Sequence, residues 1–294
     1  MENKDINLFD YTLDLIKDVE GDEILKKILH IFAMILYQNF DEKTLSNFNN
    51  NVKTLKMKFV DSCENANNAI AYYNNETNEI AISKHIQPYD IFHELFHMAS
   101  RKRNGNKIYS GLEFITLDDL GNMGNTLTEG YTDKMTKKYI PEYNPQYIYE
   151  MLISNALDKI IGEKNMEKIY LTGNTDLLYN ILAKYLGDKD FCRFMYFTDL
   201  LKTSAIVPPI FYNNTDDQKR IKNTMGIVYE LLLKLFANMH KQDDNFEEKY
   251  DDFKIYLDSL STDLDAIVVT INFSLKDFSI TYKKDKDKGV IWYE

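Results

Sequence analysis

Residues 88–100 read Pro88-Tyr89-Asp90-Ile91-Phe92-His93-Glu94-Leu95-Phe96-His97-Met98-Ala99-Ser100, and the rest of the chain is organised around them. Pro88 suits a helix start, and Asp90 falls in the first turn, where a negative charge complements the helix dipole. Within the stretch, His93-Glu94-Leu95-Phe96-His97 has the form HExxH. On a helix, residues four apart share a face and are displaced by about 6 Å along the axis. Two imidazoles so placed reach one zinc ion, which makes His93 and His97 candidate metal ligands. Glu94 stands about 100° further round the helix. From there it faces the open side of a metal and is the candidate general base. Leu95 and Phe96 face the core, and Ile91, Met98 and Ala99 extend the apolar surface. A His-Glu pair in such a helix costs desolvation unless it serves something.

A catalytic zinc site needs a third protein ligand and leaves the fourth position for water. The pattern HExxHxxGxxH fails, because Ser100 stands where Gly belongs and Arg103 where the third His belongs. Asp118 and Asp119 are short-range candidates in an expected loop. Glu129-Gly130-Tyr131-Thr132-Asp133 fits better, because it lies in an expected helix that puts Glu129 and Asp133 four apart on one face. Glu129 is then the third ligand. Asp133 is placed to accept a hydrogen bond from a ligating His and so fix its tautomer.

Upstream, residues 5–40 read as one or two helices, with Leu25, Ile28, Leu29, Phe32, Ile35 and Leu36 recurring every three or four positions. Residues 54–60 alternate Leu55, Met57 and Phe59 and predict a half-buried strand. Residues 69–73 and 79–83 predict a hairpin across Asn74-Asn75-Glu76-Thr77-Asn78, since asparagine tolerates the left-handed conformations of a turn. Downstream, residues 101–125 carry four glycines and predict long loops. Thr128 is the expected N-cap of a helix running to about Tyr139, before Pro141. Helices are expected over 146–162, 165–186, 189–203, 216–242 and 245–261. A small antiparallel meander is expected from residues 266–273, 278–283 and 289–293. The abundance of Asn and Lys is spread evenly and points to the base composition of the source genome more than to function.

The 294 residues, 44% hydrophobic and 13% aromatic, suffice for a sizeable core. Acidic residues outnumber basic ones by 46 to 35, for a formal charge of −11. That balance argues against nucleic acid or an anionic membrane as a partner. Cys63 and Cys192 are two reduced thiols in this reading, with no metal-ligand spacing. No secretory signal or transmembrane span is evident, so the expected location is cytoplasmic. Nothing in the sequence sets an oligomeric state.

Residues 93–97 and 127–133 together resemble the gluzincins, the thermolysin-like zinc metallopeptidases defined by HExxH and a downstream helical Glu. Residues 127–133 also resemble a segment common in uncharacterised bacterial HExxH proteins. The 31 residues between His97 and Glu129 exceed the spacing in thermolysin-like enzymes. The resemblance implies an α+β, zincin-like fold: a small N-terminal β-sheet with the HExxH helix, a mostly helical C-terminal half, and a short terminal β-meander. The expected domains are a catalytic subdomain at 1–145, a helical subdomain at 146–262 and a β-rich segment at 263–294. The implied activity is hydrolysis of a peptide or protein substrate with Zn²⁺ as cofactor and Glu94 as base, residues 79–83 pairing with extended substrate. The alternative is a non-catalytic zinc-binding or interaction protein on a degenerate gluzincin scaffold. The oxyanion donor is unassigned among Tyr109, Tyr131, Tyr139 and Tyr143. His30, His85 and His240 are expected to be structural or exposed, with His85 the nearest to the active helix.

Overall fold

The computed structural model describes residues 7–61, 70–84, 86–105, 107–115, 122–201, 215–267, 281–285 and 289–293. The chain is α+β and mostly helical. It divides into two compact units, Met1–Ile115 with Tyr131–Pro145 and Glu167–Thr175, and Thr116–Gly130 with Gln146–Met166 and Asp176–Glu294.

The first unit opens with three helices, α1 (Leu8–Lys17), α2 (Glu23–Asn39) and α3 (Glu42–Val52). Each is started by a side chain that accepts a hydrogen bond from a first-turn N–H: Asn7 from Phe9, Asp22 from Ile24 and Asp41 from Thr44. The apolar face of α2 read from the sequence is the buried one, with Leu25, Leu29, Phe32 and Leu36 fully enclosed. Three strands follow, β1 (Lys56–Val60), β2 (Ala71–Asn74) and β3 (Glu79–Ser83), in the order β1-β3-β2. β2 and β3 form the expected antiparallel hairpin, with Tyr73 opposite Ile80. In its turn, Asn74 Oδ1 accepts from the N–H groups of Glu76 and Thr77, and Asn78 takes a φ of 56°. β1 joins the other side of β3 in parallel, Met57 opposite Ile80.

That arrangement corrects one expectation. β3 is central, with both edges already hydrogen-bonded, so residues 79–83 have no free edge to offer an extended substrate. Consecutive burial of Ile80, Ala81 and Ile82 shows the same central position.

Helix α4 (Asp90–Ser100) carries HExxH. Ile91, Phe92, Leu95, Phe96, Met98 and Ala99 are all buried, and Phe96 meets Phe32 edge-on at 4.8 Å. Its C-terminal carbonyls are not left bare. Asn47 donates to the carbonyl of Ala99 (2.8 Å), and Asn51 donates to those of Met98 and Arg101 (both 2.9 Å). A helix end has four carbonyls without intrahelical partners, and α3 supplies donors for this one. At these two positions the asparagines have a structural role that their even spread through the sequence concealed.

Residues 101–125 hold more regular structure than the loops expected: β4 (Lys102–Asn104) pairs antiparallel with β5 (Lys107–Tyr109), and short strands β6 (Phe114–Ile115) and β7 (Asn122–Met123) follow. Helix α5 spans Asn125–Tyr139. Thr128 is therefore not its N-cap; its N–H already bonds to the Gly124 carbonyl at 2.9 Å, inside the first turn.

The remaining helices are α6 (Ile148–Ile161), α7 (Glu163–Thr172), α8 (Thr175–Leu186), α9 (Asp188–Asp199), α10 (Thr215–His240) and α11 (Phe246–Ile267). Gly162 and Gly187 separate helices as the sequence suggested. The helix expected over 165–186 is broken at Gly173, which has a φ of 56°. A Cβ there would sit 2.9 Å from Lys102 Cβ, so both conformation and space require glycine. The core of the second unit includes Leu157, Phe194, Val228, Leu232, Phe236 and Leu257, with Phe236 and Phe253 stacked at 4.4 Å. α11 runs through residues 266–267, so the first strand of the expected meander does not begin there; residues 268–273 lie outside the described ones. β8 (Thr281–Asp285) and β9 (Gly289–Tyr293) form an antiparallel pair.

Candidate metal centre

α4 and α5 bring three candidate ligands together. One ligand atom each from His93, His97 and Glu129 lies within 4.8 Å of the other two. The histidines are 7% and 8% exposed, and Glu129 is half-buried. Nε2 of His93 stands 3.0 Å from Nε2 of His97.

The other ring nitrogens explain which faces point inward. Nδ1 of His93 is 2.9 Å from Oδ1 of Asp133, which is completely buried. With Asp133 as the acceptor, Nδ1 of His93 is the donor and Nε2 is left to present a lone pair. Tyr143 completes a triangle, donating to the same Asp133 oxygen with its hydroxyl 3.0 Å from Nδ1 of His93. Burial, reinforced by the Asp133 charge, pushes the Tyr143 phenol well above its ordinary pKa and keeps it a neutral donor. On the second histidine, Thr132 Oγ1 lies 3.5 Å from Nδ1 of His97, at the outer limit of a hydrogen bond. Thr132 is itself held by Tyr170, oxygen to oxygen at 2.6 Å.

One helix therefore serves the whole centre. Glu129, Thr132 and Asp133 are spaced i, i+3, i+4 and lie on one face of α5. Asp133 stands where the sequence placed it, beside a histidine. Thr132 was missed, although the same spacing argument reaches it. Gly130 allows α5 its position: a Cβ there would lie 2.3–2.5 Å from the backbone and Cβ of Glu150 on α6, closer than any real contact.

Glu94 is half-buried on α4, and its charge contributes to the raised pKa of Tyr143. Burial also raises the carboxyl pKa of Asp90, against the opposing effects of the Gln87 backbone and His93. Among the tyrosines considered as oxyanion donors, Tyr143 is engaged on the Nδ1 side of His93. Tyr131 is fully buried against Tyr170, Tyr139 packs on Phe40 and Phe96, and Tyr109 is buried. His30 is exposed beside Lys26 and Lys27 in a surface groove, and His240 pairs with Asp243 at 3.0 Å. His85, Asp118 and Asp119 lie outside the described residues.

The donor set fits a metal. Two imidazole Nε2 atoms 3.0 Å apart, with a carboxylate beside them, set three donor atoms where a single cation could reach all of them. Two nitrogens and one oxygen suit zinc, which takes three such protein ligands at catalytic sites.

Among the described residues, no helix is long and apolar enough to cross a membrane. No protein-family model matches the chain, and no solved structure matches it. The chain is similar over 73 residues, at 30% identity, to a glutamyl-tRNA(Gln) amidotransferase subunit of Lactiplantibacillus plantarum. That stretch covers 25% of this chain and 14% of the amidotransferase polypeptide, too little of either to show a family.

Proposed function

We propose that the chain is a zinc-dependent hydrolase of peptide bonds, built like a gluzincin. The observation that carries the proposal is the convergence of His93 Nε2, His97 Nε2 and the Glu129 carboxylate, with Asp133 fixing the proton on the far side of His93. His93, His97 and Glu129 would hold the zinc. When bound, zinc polarises a carbonyl and lowers the pKa of water toward neutrality.

The chain's own residues supply the remainder. Glu94 takes a proton from the attacking water and delivers it to the leaving amine. Asp133 accepts from His93 throughout and stabilises positive charge on the ligand side. The restriction to peptides comes from the resemblance of residues 93–97 and 127–133 to gluzincins. The short likeness to an amidotransferase adds nothing to the choice of substrate.

The test is a peptide-library digest with and without a chelator, run on the wild type and on Glu94→Gln. Cleavage by the wild type alone, abolished by the chelator, is expected, with zinc content unchanged in Glu94→Gln. Stoichiometric zinc without cleavage of any peptide would favour the non-catalytic zinc-binding protein. Turnover by Glu94→Gln equal to wild type would remove Glu94 as the base.

A further inference from the structure

Helix α5 begins after Gly124, which has no side chain with which to cap it. The cap comes from elsewhere in the second unit. Asp199, the last residue of α9, accepts from the N–H of Gly124 at 2.9 Å with Oδ2 and from the N–H of Thr126 at 3.2 Å with Oδ1. The Thr126 hydroxyl donates to the Asp199 backbone carbonyl at 3.4 Å.

A helix leaves its first four N–H groups without intrahelical partners, and a carboxylate there also complements the positive end of the dipole. Bonding to two N–H groups on successive sides of the first turn does more than satisfy them. It fixes both where α5 starts and how it is rolled about its axis. Glu129 follows Thr126 by three residues, one turn along the same face. Any fraying or rotation of that first turn is therefore passed directly to the Glu129 carboxylate.

We infer that Asp199 is a positioning residue for the third ligand: by capping α5 from α9 it sets the direction of Glu129 and with it the affinity for zinc. This inference rests on the reading of Glu129 as a ligand. Asp199 is not one of the three candidate ligands, and its hydrogen bonds to Gly124 and Thr126 connect it to Glu129 through α5.

The experiment is a double-mutant cycle on the full chain. Zinc affinity is measured by competition with a chromophoric chelator for wild type, Asp199→Ala, Glu129→Ala and the double variant. Asp199→Ala is expected to weaken zinc binding about tenfold, the lower range for residues that orient a ligand. In the Glu129→Ala background the same substitution is expected to change affinity by less than about twofold, because the group it positions is gone. Equal losses in both backgrounds would overturn the inference by showing a general effect on the scaffold. So would an unchanged affinity in Asp199→Ala when Glu129→Ala alone weakens binding. If Glu129→Ala leaves zinc binding intact, the ligand reading falls and takes this inference with it. Should Asp199→Ala fail to fold, Asp199→Asn retains one acceptor. It is expected to give a smaller loss of the same kind, judged beside the unfolding curve of the zinc-free protein.

Discussion

Nε2 of His93 and Nε2 of His97 stand 3.0 Å apart, with Asp133 at 2.9 Å and Thr132 at 3.5 Å from their opposite ring nitrogens. On a tetrahedral zinc with bonds of about 2.0–2.1 Å the two nitrogens would be about 3.3 Å apart, so the side chains need almost no rearrangement to bind. Zinc at a hundred times its Kd is expected to stabilise the fold by about 2.7 kcal/mol. Thermal unfolding followed with zinc, with magnesium and with chelator checks this. Magnesium, which prefers oxygen ligands, is expected to give no comparable rise in Tm.

Asp133→Asn tests the orientation of His93. The amide keeps the shape but can turn a donor toward Nδ1, which favours the wrong tautomer. Zinc affinity is expected to fall about 10- to 100-fold. Tyr143→Phe, which removes one donor to Asp133 while leaving the carboxylate, is expected to cost less. Chelator competition on the two variants gives the order, and a larger loss in Tyr143→Phe would contradict the arrangement.

Asn51→Ala strips a buried donor from the carbonyls of Met98 and Arg101 at the end of α4. Each carbonyl keeps one other donor, the Arg101 N–H at 3.2 Å for Met98 and the Asn47 amide at 3.3 Å for Arg101, so the loss is that of two hydrogen bonds, about 0.5–1.5 kcal/mol each. A fall in stability of that order is expected in urea unfolding of the zinc-free protein. An unchanged midpoint would show that water replaces the amide.

Asp41 caps α3 and also accepts from Lys168 at 2.7 Å. The lysine ammonium is the main reason that its carboxyl pKa is held below the usual value. Because the folded pKa lies below the unfolded one, the stabilisation is complete above about pH 4 and is lost as pH falls through the folded value. Asp41→Ala is expected to cost about 1 kcal/mol at pH 7, chiefly as a lost cap, and less at pH 3. Both side chains are well exposed, so the ion pair itself adds little. Urea midpoints at the two pH values provide the check.

The sequence carried the centre because its parts are local and periodic. His93 and His97 are four apart, as are Glu129 and Asp133, and helical geometry alone brings each pair onto one face. What it did not carry is whatever depends on remote partners. Asp199 caps a helix that starts 74 residues earlier, and no local pattern announces it. Asn47 and Asn51 look like composition until the end of α4 lies against them. The parallel pairing of β1 with β3 joins segments that a hairpin reading treats as unrelated, so the central place of β3 could not be foreseen. Thr132 was within reach of the spacing argument but is a residue type seldom read as a histidine's partner.

The single face of α5 that bears Glu129, Thr132 and Asp133 makes the site a cassette, inherited or lost as one piece. Inserting one residue within 129–133 turns whatever follows it by about 100° and separates ligand from orienting groups in one step. An insertion between α4 and α5 leaves the register within 129–133 unchanged. The interval between His97 and Glu129 can therefore be long without disturbing the ligand, whereas the register inside α5 is what keeps Glu129 beside its orienting groups.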